Sequence, residues 1–298
     1  MALPSYATRV QRTYYYAYLF FCCIVFFFLI APLIAIVPIS FSRSPFMLFT
    51  EGMLAWPPEP EAWSLRWYKN MVGMCDADVV SSTVPCGNKW MRGTVNSLFI
   101  GTISTLIATS LGTMAALGLS RPHMPFKGII MSILISPMIV PLIITAAGMF
   151  FFYARINLVY TFTGIILAHV ALATPFVVIT VTATLVGFDT NMIKASQSLG
   201  ARPTRTFFKI IMPLILPGVI SGALFAFITS FDEVVIVMFM ASLDQLTIPK
   251  QMWAGIRQEI SPVILCMATC LVVLSIFLLT TVELLRRRSE RLRGVSPH

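Results

Sequence analysis

Asp232 and Glu233 are adjacent carboxylates inside an otherwise apolar run, Leu214 to Met240. An ionised side chain near the middle of a membrane helix costs roughly 2.5–3.5 kcal/mol on insertion scales, so acids kept there face water, a partner or a passing ion. At about 1.5 Å per residue from Leu214, the pair lies toward the far end of its helix, which is the external end in the topology below. Neighbouring helical positions point about 100° apart, so one carboxylate can line a pore while the other pairs with a basic group or an adjacent helix. Two readings stay open. The pair is a cation-attracting point on a translocation path, with Phe231, Tyr153 and Tyr160 offering aromatic faces to a cationic ligand, or it is an acidic pair that fixes helix packing. Interfacial aromatic belts explain the two tyrosines equally well.

Other reactive side chains are sparse. His123, His169 and His298 are scattered without metal-ligand spacing, and no Gly-x-Ser-x-Gly nucleophile motif occurs. No Gly-x-x-x-x-Gly-Lys-Ser/Thr phosphate loop is present, so the chain is expected to be a non-enzymatic subunit that holds no cofactor or metal and draws energy from a partner. Cys22, Cys23, Cys266 and Cys270 fall in apolar runs and read as packing residues. Cys75 and Cys86 share one polar segment and form either a disulfide or two free thiols.

The solvent that positions these groups is lipid. Of the 298 residues 57% are hydrophobic and 11% charged, with a mean hydropathy of +0.86. A bilayer core of about 30 Å needs roughly 20 apolar residues per helix, and six such runs occur: Leu19 to Pro38, Thr94 to Leu119, Ile129 to Tyr153, Phe162 to Val186, Leu214 to Met240 and Val263 to Val282. They lack the alternation of barrel strands, so the chain is expected to be an all-α integral membrane protein with six transmembrane helices. The net charge of +9 is dispersed between these runs rather than gathered on a soluble face, which argues against a nucleic-acid partner. With both termini cytoplasmic, thirteen of the 21 basic residues lie inside and eight outside, mostly in a long segment that the positive-inside rule hardly governs.

The expected layout is a cytoplasmic N-tail over 1–18, a retained first span over 19–40, an external loop over 41–93, a core over 94–286 and a basic cytoplasmic tail over 287–298. The external loop mixes breakers, Trp56-Pro57-Pro58-Glu59-Pro60, with amphipathic aromatics, Trp63-Ser64-Leu65-Arg66-Trp67-Tyr68. Those aromatics anchor the headgroup region or help to dock an external partner. Ser97 with Gly101, and Ala108 with Gly112 and Ala116, give the second span a face that neighbouring backbones can approach. Pro137 and Pro141 interrupt the third span and Pro175 the fourth.

Between the fourth and fifth runs, within 187–213, lies a cytoplasmic segment with helix signals of its own. Asp189 or Thr190 can cap a short helix, Ala195 and Leu199 share a face, and Gly200 is a natural C-terminal stop. A second helix is expected to start near Pro203 or Thr204 and to be halted by Pro213 and Pro217. Small residues facing outward beside a glycine bend allow another protein to seat closely, while the plainer alternative is a connecting helix on the membrane surface.

Lys194-Ala195-Ser196, then Gly200-Ala201, Ile211-Met212-Pro213-Leu214 and Pro217-Gly218, resemble the EAA loop of ABC importer permeases. Pro175-Phe176-Val177-Val178-Ile179-Thr180-Val181, Gly187-Phe188-Asp189, Ser230-Phe231-Asp232-Glu233-Val234-Val235-Ile236 and Ile248-Pro249-Lys250 extend the likeness over most of the chain after the external loop, toward the permease subunits of spermidine and putrescine importers. The resemblance implies a type I ABC importer permease fold (MetI-like) in a bacterial inner membrane. It implies a second permease subunit in a heterodimer, two ATP-binding subunits that carry the ATP and Mg²⁺, and a periplasmic solute-binding protein. It implies that Asp189, Lys194, Ala195, Ser196, Gly200 and Ala201 form the coupling helix and its flanks against the ATPase, and it favours Asp232 within the acidic pair. Lys194 stands where the family has glutamate, and Ser196 replaces the second alanine. The alternative function is a secondary transporter driven by an ion gradient, with Asp232 or Glu233 as the ion-linked group.

Overall fold

The computed structural model describes residues 8–74, 88–121, 123–186, 191–258 and 261–292; at 258, 282, 283 and 285–292 only the backbone is described. Among the described residues the regular structure is helical, with one isolated antiparallel bridge between Ser42 and Trp63. Five helices are long and apolar enough to cross a membrane, Arg9–Ser40, Lys89–Leu119, Phe162–Val186, Pro203–Phe231 and Val263–Thr281, and a bent pair makes a sixth if counted as one span. The chain divides into two compact units, 1–87 with 258–298 and 88–257.

The first unit contains α1 (Arg9–Ser40), α2 (Glu51–Leu54), α3 (Arg66–Val72) and α13 (Val263–Leu292). α1 begins ten residues before the apolar run, because Thr8 and Gln11 form a reciprocal capping box that holds its first turn. Most of its phenylalanines and tyrosines are exposed, as a helix bathed in lipid requires. Segment 41–74 is more than a loop of headgroup anchors. Trp67 is fully buried, its Nε1 donates to the Ser42 carbonyl at 3.0 Å, and the Tyr68 hydroxyl lies 2.7 Å from Ser40 Oγ. Cys266 of α13 donates its thiol to the Ser40 carbonyl at 3.3 Å. Trp56, by contrast, is 94% exposed. The question of a Cys75–Cys86 disulfide lies outside the described residues.

The second unit holds α4 (Lys89–Leu119), α5 (Lys127–Ile139), α6 (Leu142–Arg155), α7 (Phe162–Val186), α8 (Asn191–Ser198), α9 (Pro203–Thr206), α10 (Met212–Phe231), α11 (Val235–Met240) and α12 (Ile248–Gln258). α4, α7 and α10 pack together as its core around fully buried Ala108, Ala173, Val177, Val181, Ile215 and Ala226. Glycine makes that approach possible: a Cβ at Gly112 would lie 2.7 Å from Val177 Cβ, one at Gly222 would lie 2.5 Å from Thr180 Oγ1, and one at Gly218 would overlap Thr184. Without a hydrophobic drive between helices in lipid, this close van der Waals packing holds the spans together. Ser104 Oγ adds a bond to the Ile166 carbonyl at 3.3 Å, and His169 Nδ1 lies 2.8 Å from Ser230 Oγ.

Three sequence expectations are corrected. The third run is not one kinked helix: α5 and α6 meet at 102°. Val140 is extended (φ −71°, ψ 134°), the conformation that the following Pro141 imposes on its predecessor. Pro213 and Pro217 do not halt the helix begun at Pro203. The chain passes through a π-helical turn, Phe207–Ile211, directly into α10, with Pro213 in its first turn and Pro217 inside it. The wider turn and the first-turn position relieve the ring clash and the missing donor. The fifth run does not reach Met240 as one helix, because α10 stops at Phe231 and α11 starts at Val235.

Candidate functional site

α8 owes its sharp end to one residue. Gly200 has φ +76°, a left-handed conformation that strains residues with a Cβ. Around it the Gly200 N–H donates to the Gln197 carbonyl at 2.9 Å and the Ala201 N–H to the Ser196 carbonyl at 3.0 Å. This is the paired closure that satisfies the last carbonyls of a helix and reverses the chain. The expected stop at Gly200 is where the helix ends.

Lys194 and Ala195 are exposed, and Leu199 is 88% exposed. Ser196 faces the opposite way and is buried. Its hydroxyl donates to the Ile193 carbonyl at 2.8 Å and lies 2.9 Å from the hydroxyl of buried Thr206 in α9. Of the residues that the resemblance assigns to the coupling contact, Ala195 is thus exposed and Ser196 is buried. A serine at this position gains a polar partner on the next helix, and a buried hydroxyl settles where it is hydrogen-bonded. That partner was invisible from spacing, since Thr206 belongs to another element. Asp189 lies outside the described residues.

Between α8 and the chain leading into α10 an open groove of about 450 Å³ has an almost wholly apolar lining that includes Met192, Leu199 and Ile210, with Arg205 and Lys209 beside them. Ala201 forms part of its wall.

The acidic pair divides as adjacent carboxylates can. Asp232 is exposed, while Glu233 is buried and its Oε1 accepts the Ile236 N–H at 2.9 Å, capping α11. The carboxylates thus sit at a helix break, where free backbone donors satisfy one of them. Phe231 stacks on Phe227 with centroids 5.5 Å apart, and both rings lie against Gly101 of α4, where a Cβ would come within 3.3 Å of Phe227.

The segment after the break is fastened to the Lys89 end of α4 and the Phe162 end of α7. Asn96 donates to the carbonyls of Asp244 and Leu246 at 2.9 and 3.0 Å, and Arg92 pairs with Asp244 at the surface. Ser97 Oγ accepts the Ile248 N–H at 2.8 Å. The Tyr160 N–H donates to the Met240 carbonyl at 2.9 Å, and its own carbonyl accepts from Gln245 Nε2 at 2.9 Å. Tyr160 is thus a backbone fastener, held at φ +62°. Lys250 Nζ donates to the Val237 carbonyl at 3.2 Å, and its burial lowers the pKa of the ammonium. None of these partners could be read from sequence, because each joins residues far apart in the chain. Among the described residues no cluster of three or more His, Cys, Asp or Glu is placed to hold a metal ion.

A break after α10, a glycine-ended helix between two membrane helices and a core of small-residue contacts form one arrangement, and residues 108–291 match the family described as binding-protein-dependent transport system inner membrane component. The chain belongs to that family. It is a multi-pass inner-membrane protein. It is 26% identical over 262 residues, 88% of this chain and 93% of the relative, to the spermidine/putrescine transport system permease protein PotC of Haemophilus influenzae. It is 28% identical over 249 residues, 81% of this chain and 80% of the relative, to the putrescine transport system permease protein PotI of Escherichia coli strain K12. Among solved structures, a bacterial ABC transporter involved in the import of the acidic polysaccharide alginate aligns with a TM-score of 0.71 at 14% identity, covering 94% of this chain and 99% of that one. A subunit of the MetNI methionine ABC transporter in an inward-facing conformation aligns with a TM-score of 0.51 at 22% identity, covering 70% and 97%. The fold is that of an ABC importer permease, as the resemblance implied.

Proposed function

We propose that this chain is a non-catalytic permease subunit of an ATP-driven, binding-protein-dependent importer, and that α8 is the lever through which an ATP-binding subunit drives it. The observation that carries this reading is α8 itself. A short helix closed by Gly200 at φ +76° presents Ala195 and Leu199 outward between two membrane-crossing helices. The partners in this reading are a second permease subunit in a heterodimer, two ATP-binding subunits that hold the ATP and Mg²⁺, and a periplasmic solute-binding protein. Both termini and α8 lie on the cytoplasmic side, and segment 41–93 lies outside.

The substrate in this reading is a small amine of the polyamine class. Relatives named as spermidine/putrescine and putrescine permeases support the choice, as does an exposed carboxylate, Asp232, beside stacked Phe227 and Phe231. A carboxylate next to aromatic faces attracts ammonium groups, and the carbonyl end of α10 adds partial negative charge. Glu233 serves the same path indirectly, by holding the break open through its bond to Ile236. The test is uptake into proteoliposomes containing the assembled complex. Import of labelled spermidine that needs both internal ATP and the solute-binding protein supports the reading, whereas import by this chain alone under a pH gradient replaces it with a secondary transporter.

A further inference from the structure

From Asn191 to Phe231 the chain carries four cations, Lys194, Arg202, Arg205 and Lys209, and no acid. All four are exposed, and among the described residues none makes an ion pair. Arg205 and Lys209 line the groove together with Met192, Leu199 and Ile210, while Lys194 is exposed on α8 outside that lining. A partner that buried this face with neutral or basic groups would desolvate cations without compensation, which weakens binding. A partner with carboxylates around an apolar tip would fill the groove and pair the cations at once.

Resting on the coupling reading above, we propose that α8 and the turn into α10 dock an acidic-rimmed surface of the ATP-binding subunit, with an apolar side chain entering the groove and carboxylates meeting Arg205 and Lys209 in its wall. The polarity of the contact is set by this chain, because Arg205 and Lys209 are the charged groups of the groove wall. Anionic lipid headgroups would also attract the cations, but a fluid headgroup layer has no use for a preformed apolar concavity held by the Ser196–Thr206 contact. A protein surface does.

The test measures the affinity of the purified ATP-binding subunit for the permease pair in nanodiscs of neutral lipid, at rising ionic strength. Arg205→Gln, Lys209→Gln and the double variant remove charge from the groove wall without inverting the topology signal, and recovery of the second permease subunit verifies assembly. The expected result is weaker binding of the wild type in higher salt, with a loss of about tenfold or more in the double variant, the size typical of close interfacial charge pairs. Wild-type affinity in the double variant, combined with loss of binding in Gly200→Trp, would overturn the acidic partner and leave the coupling reading standing. Wild-type affinity in Gly200→Trp as well would remove the coupling reading itself. A charge effect that appears only with anionic lipid would assign the cations to the bilayer and overturn the proposal.

Discussion

Replacing Gly200 separates the turn's geometry from the surface it creates. Its φ of +76° is a conformation that costs an L-residue with a Cβ about 1–2 kcal/mol, yet a Cβ there would meet nothing within 4 Å. The chain therefore has room for a side chain at this point, and what it adds projects into the space a docked subunit would occupy. Gly200→Asn, which tolerates the left-handed region, is expected to retain uptake within about threefold, corresponding to less than roughly 1 kcal/mol. Gly200→Ala carries the strain without the bulk and falls between. Gly200→Trp carries both and is expected to reduce uptake more than about tenfold while the complex still reaches the membrane and still hydrolyses ATP. The assay is paired uptake and ATPase measurement on the same proteoliposomes. Normal uptake in Gly200→Trp, or equal losses in Ala and Trp, would refute the reasoning, the first by showing that nothing docks there and the second by showing that only strain matters.

Asp232→Asn, at an exposed position, is expected to weaken import of a cationic substrate more than that of a neutral one; equal effects measured by competitive uptake would assign the residue to packing. Ser196→Ala leaves the buried Thr206 hydroxyl without its partner, a cost of about 1–3 kcal/mol. Coupling efficiency is expected to fall, and to recover in the double variant Ser196→Ala/Thr206→Val, which removes both halves of the contact; no recovery in paired uptake and ATPase assays would show that the contact does not position α8. Gly218→Leu places a side chain where even a Cβ overlaps Thr184, so membrane-inserted protein is expected to fall sharply on immunoblots, while Gly118→Leu, where a Cβ meets nothing within 4 Å, is expected to leave it unchanged.

The spans were legible because bilayer thickness sets a length that can be counted, and Leu214 to Met240 shows the limit of counting. Its apolar composition continues past Phe231, so the helix break is hidden in hydropathy and marked only by Asp232 and Glu233. The carboxylates were read as charges inside a helix, but one of them is the cap of the helix that follows. Pro141 announced an interruption and not its 102° angle, which depends on how α5 and α6 pack. Pro213 and Pro217 misled because their effect depends on the π-turn before them, a feature with no local signature. Gly200 was readable because a left-handed helix end is a local requirement, whereas the inward turn of Ser196 depends on Thr206 in another helix. The fastening of 241–250 by Asn96, Ser97 and Tyr160 is long-range and left no trace in spacing.

The central claim, that α8 is a cytoplasmic lever gripped by an ATP-binding subunit, is tested most directly by labelling Leu199→Cys, in a background without the native cysteines, using a membrane-impermeant maleimide. The thiol is predicted to react in inside-out vesicles and not in right-side-out ones, and to be protected when the ATP-binding subunit is added. Reaction from the outer face, or unchanged reaction with the subunit bound, would contradict the account.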